Sequence, residues 1–168
     1  MRRRALLAAA VASLAACATP PPPAATRRLT GADIFRLDPA VLRAAVLVDD
    51  RVLIQAVVIE LRPLAQEERF VIRLQQAAAA DPRLPAPPPG RSWRMLALSP
   101  EAAATLVTVR QMLASRSAQP DSVAVSVSAQ PAIVPADLVA ALPIRIALLV
   151  DASEGWFALE ESTLDLRS

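Results

Sequence analysis

Few side chains in this 168-residue chain are able to carry chemistry, and the missing types are as informative as the ones present. There is no His, Lys, Tyr or Asn, and only one cysteine, Cys17. Nucleophilic sites built on Ser-His-Asp, Cys-His or Ser-Lys are therefore excluded, as are Schiff-base lysines. Zinc and copper sites fall with them, because those metals need imidazole or thiolate ligands, so neither metal nor cofactor is expected. Three glycines leave no GxxxxGK or GxGxxG loop to cradle a phosphate. What remains is carboxylates, arginines, hydroxyls, carboxamides and two indoles.

Among the carboxylates, Asp49-Asp50, Glu67-Glu68 and Glu160-Glu161 are adjacent pairs. Neighbours on a strand point to opposite faces, so no pair by itself holds two carboxyls over one substrate bond. Only two pairs meeting in the fold would give the carboxylate-only arrangement of a glycan hydrolase. Asp151-x-Ser153-x-Gly155 places oxygen ligands before a glycine as a calcium loop does, but lacks the further acids and the closing glutamate. A hairpin turn explains the same residues. Trp93 and Trp156 have faces suited to stacking or to core packing. Arg91 and Arg94 flank Trp93, and together with Trp156 they make the candidate binding surface, of a kind that suits an anion.

The chain opens with a basic head, Met1-Arg2-Arg3-Arg4, and an apolar run to Ala16. A spanning helix needs about 20 apolar residues, and this run stops well short of that at Cys17 and the prolines 20–23. The pattern is that of a cleavable signal over 1–16. Leu14-Ala15-Ala16-Cys17 resembles the lipobox of bacterial lipoproteins, in which a branched residue and two small ones precede an obligatory cysteine. The resemblance implies cleavage before Cys17 and acylation of its thiol. It also implies a domain held at the periplasmic face of a membrane by acyl chains alone. Ala18, where that family places aspartate for inner-membrane retention, implies the outer membrane. Arg3-Arg4 before Ala5-Leu6-Leu7 also resembles a twin-arginine export signal.

Loss of the leader changes the charge. The precursor carries a formal +2, but from Cys17 onward fifteen arginines face sixteen acids, so nucleic acid is not an expected partner. Residues 17–30 are rich in proline, without apolar periodicity, and read as an extended tether from lipid to domain. Residues 31–168 are of a length for one domain, interrupted by a second proline-rich stretch at 77–91 that reads as a surface loop dividing the strands into two sets.

Within that domain, apolar or alternating runs at 42–48, 52–62, 68–75, 92–98, 121–128 and 144–150 read as strands. Asp151 to Gly155 reads as a hairpin turn with a return strand at 156–160. Ser99-Pro100-Glu101 supplies a hydroxyl N-cap, a proline at the first helical position and an acid in the first turn. A helix then runs to about 115, with Ala102, Leu106, Val109 and Leu113 on one stripe. Between 131 and 143, three prolines predict an irregular edge or a short helical turn at 136–141. The sum is an α+β domain: an antiparallel sheet or sandwich of six to seven strands with one main helix at 100–115.

A tethered β-rich domain with no catalytic set implies a non-enzymatic envelope lipoprotein of binding or structural type, contacting an envelope protein or polymer. Ile34-Phe35-Arg36-Leu37-Asp38-Pro39 after the tether resembles the domain start of auxiliary lipoproteins of ABC-type lipid transporters. That likeness implies an alternative, a lipid or small apolar ligand held between the helix and the sheet.

Overall fold

The structure is a computed structural model, and it describes residues 27–64, 67–77, 81–115, 122–138, 141–159 and 161–165. A short helix, α1 (Gly31–Arg36), opens the domain. Four strands follow: β1 (Arg43–Asp49), β2 (Leu53–Pro63), β3 (Phe70–Gln76) and β4 (Arg91–Leu98). The main helix, α2 (Pro100–Ser115), precedes β5 (Val123–Ile133), β6 (Ala141–Leu149), β7 (Trp156–Ala158) and β8 (Ser162–Asp165). All pairings are antiparallel, in the order β5-β2-β3-β4-β1-β6-β7, so the α+β class expected from the alternation is the observed one.

β8 is the continuation of β7 along the same edge of β6. Ala147 pairs with Ala158 and Ile144 with Ser162, so the register slips by one residue between them, as at a β-bulge. The amide of Leu159 bonds the carbonyl of Ile146 at 2.8 Å and carries the pairing into that bulge. The return strand expected at 156–160 thus reaches further, with a kink.

The sheet curls until its two ends approach each other. Val125 and Val127 of β5, Leu159 beyond β7, and Arg28 and Leu29 line one cleft of about 230 Å³ at this seam. On the concave side, alternate residues of every long strand form the core: Val46 and Val48 of β1, Val57 and Ile59 of β2, Leu74 of β3 and Leu148 of β6 are all fully buried. Helix α2 closes this side with Leu106, Val109 and Leu113, which fill the space between helix and sheet. Its start is capped as the sequence implies, the Ala102 amide donating to Ser99 Oγ at 3.1 Å.

Helix α1 is held by a capping box. The Asp33 amide donates to Thr30 Oγ1, and Asp33 Oδ2 accepts from the Thr30 amide at 2.8 Å. At its other end, Arg110 of α2 donates to the carbonyls of Leu37 and Phe35 at 2.6 and 2.7 Å, meeting acceptors that a helix end leaves open.

The proline-rich stretch at 77–91 does not divide the strands into two sets. β3 and β4, on either side of it, are hydrogen-bonded neighbours, and the described part of the loop lies over the convex face of the one sheet. β5 runs through Pro131, which an edge strand tolerates because it has a partner on one side only. Of the turn expected at 136–141, residues 136–138 are a turn, 139 and 140 lie outside the described residues, and Ala141 already belongs to β6.

Candidate functional site

Both tryptophans stand on the convex face. Trp93 on β4 and Trp156 on β7 join an apolar cluster with Ala45, Met95, Ala147 and Leu149. Each indole N–H reaches up to the loop above. Trp156 Nε1 donates to Asp81 Oδ2 at 3.0 Å, and Trp93 Nε1 donates to the Pro85 carbonyl at 2.9 Å. Between those points Leu84 packs into the same cluster. The Arg83 guanidinium, donating to both oxygens of Asp81, holds that carboxyl well below the usual carboxylate range, aided by the Arg83 amide and the Trp156 indole against the opposing effect of burial. The indoles therefore fasten a strap, and their faces are taken up by packing.

The four residues of the candidate surface are not one cluster. Arg91 and Trp93 share the convex face, whereas Arg94, one residue on, belongs to the concave side with Leu96 and Val46. Arg91 donates to the carbonyls of Leu47 and Pro143, at 3.1 and 2.7 Å, and Arg94 to that of Asp50 at 2.5 Å. Arg94 Nε and Ser92 Oγ are buried without a hydrogen-bond partner among the described residues. These guanidinium groups knit strand ends together.

The strap covers only the β4-β1-β6-β7 half of the convex face. The β5-β2-β3 half is uncovered by the strap and largely polar: Ser126, Ser128 and Gln130 of β5 flank Glu60, Val58 and Ala56 of β2, with Val71, Arg73 and Gln75 of β3 beyond, Val58 being buried beneath its neighbours. Around Ala56 lies a depression of about 340 Å³ lined by Gln55, Arg73, Gln75 and Gln76. Gln55 reaches it because the β2–β5 register shifts between Ile54 and Ala56, which leaves Gln55 without a partner on β5. Arg73 Nη1, from the position opposite Val58, donates to Gln130 Oε1, opposite Ala56, at 2.9 Å diagonally across β2. The sequence shows these glutamines as scattered residues.

Several of the carboxylates are tied to arginines or turns. Asp49 and Asp137 both meet Arg51, at 3.1 and 2.7 Å, and the hydrogen bond from Arg51 holds the Asp49 carboxyl below its ordinary value. Glu161 pairs with Arg145, and its neighbour Glu160 lies outside the described residues. Glu67 and Glu68 are exposed. In the 151–155 turn, Asp151 Oδ1 accepts from the amide and hydroxyl of Ser153, and Gly155 takes φ +76°, so these residues make the hairpin expected of them. Among the described residues no three acids come together as a metal site would require.

At the N-terminal end of the described residues, Arg27 is fastened four times. Its amide donates to the Ala158 carbonyl at 2.9 Å, its guanidinium bonds Asp33 at 2.8 Å and Glu154 at 3.2 Å, and the same group lies 4.0 Å over the Phe157 ring. Leu14, Ala15, Ala16 and Cys17 lie outside the described residues. No described helix is long and apolar enough to cross a membrane. Comparison with known protein families, curated proteins and solved structures finds no match to this chain.

Proposed function

We propose that this chain is a membrane-anchored envelope lipoprotein of binding or structural type, held by acylated Cys17 at the periplasmic face of the outer membrane and contacting an envelope protein or polymer. The observation that carries the reading is the fastening at Arg27. A proline-rich tether needs a firm attachment if a pull on the lipid is not to peel the chain off its domain. Here the first described residue is bonded to the β7 edge, to the cap of α1 and to the β6–β7 turn at once. The bare half of the convex face gives such a module a surface to offer.

Replacement of the acylated residue tests the anchor. In the Cys17→Ser chain the domain is expected to keep its unfolding midpoint while the protein moves from the membrane to the soluble envelope fraction. A Cys17→Ser protein that stays with the membrane would overturn the anchoring. The contact is tested by using the full chain as bait in envelope extracts, where retention of nothing beyond what a control lipoprotein retains would count against it.

A further inference from the structure

We infer that the depression around Ala56 binds the peptide stems of the cell-wall polymer, through their amides and free carboxylates. The inference rests on the envelope reading above and names the partner of the bare convex face. The chain has seven glutamines and no asparagine, and three of those seven carboxamides, Gln55, Gln75 and Gln76, line this one spot, with a fourth, Gln130, bonded to its Arg73. Each offers paired donors and an acceptor, the complement of a peptide or acetamido group. Ala56 keeps the floor low, so a ligand main chain can come close to the sheet. A volume of about 340 Å³ is within the range of small-ligand sites.

Arg73 supplies the charge. The arginines at 51, 62, 83 and 145 meet carboxylates, whereas Arg73 is bonded to the neutral Gln130 amide. A guanidinium set among carboxamides has donors left for a carboxylate, to which it binds strongly and with direction. Among the described residues no aromatic side chain lines the depression, so a sugar ring finds no stacking platform in that lining. Peptide stems, rich in amides and ending in carboxylates, fit these groups better than the glycan strand that carries them.

The test is co-sedimentation of the full acylated chain, in detergent, with isolated wall sacculi, using chitin as an acetamido glycan without peptide. The chain is expected to sediment with sacculi and not with chitin, and soluble stem-peptide fragments should release it. Arg73→Gln and Gln75→Ala, both at exposed positions, should each weaken binding by about tenfold. Arg36→Gln, an exposed arginine on α1, should leave it unchanged. Sedimentation no greater than with chitin, binding by both site variants as tight as the parent's, or release by chitin fragments as effective as by stem peptides would each overturn the inference. None of these outcomes touches the fractionation of Cys17→Ser or the capture of another envelope partner.

Discussion

Arg110 shows how this chain uses a half-buried arginine head. Its guanidinium closes the end of α1 by donating to Phe35 and Leu37, 75 and 73 residues away in sequence. Arg110→Met keeps the aliphatic stem and leaves two carbonyls without a donor. A hydrogen bond to a charged group is worth about 1.5–3 kcal/mol, and this site is only partly buried, so a loss of about 2 kcal/mol is expected in urea unfolding. Arg110→Lys should recover only part of it, because an ammonium is a single point charge where two separated carbonyls need a fork. A variant as stable as the parent would mean that α1 is held by Ile34 and its capping box alone. None of this was legible in the sequence, where Arg110 is a single arginine in an otherwise uncharged stretch of the helix and its partners lie far away along the chain. The Ala56 depression was hidden for a similar reason. Gln75 and Gln130 flank the same spot only because Ala56 pairs with both, once on each side of β2.

At the scale of elements, local pattern was a good guide where period and caps agreed. Ser99-Pro100-Glu101 and the Leu106, Val109, Leu113 stripe fix the helix, observed at Pro100–Ser115. The alternations at 123–128 and 144–150 assign the correct residues to the core, with Val123, Ile144, Ile146 and Leu148 buried. Helix α1 escaped notice because six residues are too few to show a period, although Thr30 and Asp33 already spell its capping box. The strap was misjudged because proline content marks a loop without saying where the loop lies. Two indole N–H groups decide that, and they make the strap testable. Trp93→Phe with Trp156→Phe keeps rings in the apolar cluster and removes both donors. Trypsin is then expected to cut the Arg83–Leu84 bond several-fold faster, since protection of a surface segment follows the free energy of opening it. Mass spectrometry of the fragments reads that bond separately, and unchanged cleavage there would show that Leu84 packing alone holds the strap.

For the whole molecule, composition and topology combine into one pH response. With no histidine and no lysine, no side chain of the domain has an ordinary pKa between about 6 and 8, so stability should be flat across neutral pH. Acid is different. Burial alone would raise the Asp33 carboxyl, but the Thr30 amide and hydroxyl and the Arg27 guanidinium outweigh it and hold it below its ordinary value. The Arg51 guanidinium lowers Asp49, the Arg83 guanidinium lowers Asp81, and the Ser153 hydroxyl lowers Asp151. A carboxyl with a lower pKa folded than unfolded binds fewer protons in the native state, so its contribution to stability is complete above the unfolded value of about 4. That contribution is lost as the pH falls through the depressed folded values. Urea midpoints should therefore hold steady from about pH 8 to 6 and fall steadily below about pH 5. The strap isolates one share of the effect. Asp81→Asn gives up the ionised clasp to Arg83, so it should unfold earlier than the parent at neutral pH, and the gap should narrow steadily as the pH falls below about 4 and the clasp loses its advantage. Parallel curves for the two proteins across that range would mean that the clasp adds nothing to stability, and a midpoint that rises on acidification would reverse the sign argued for all four carboxyls.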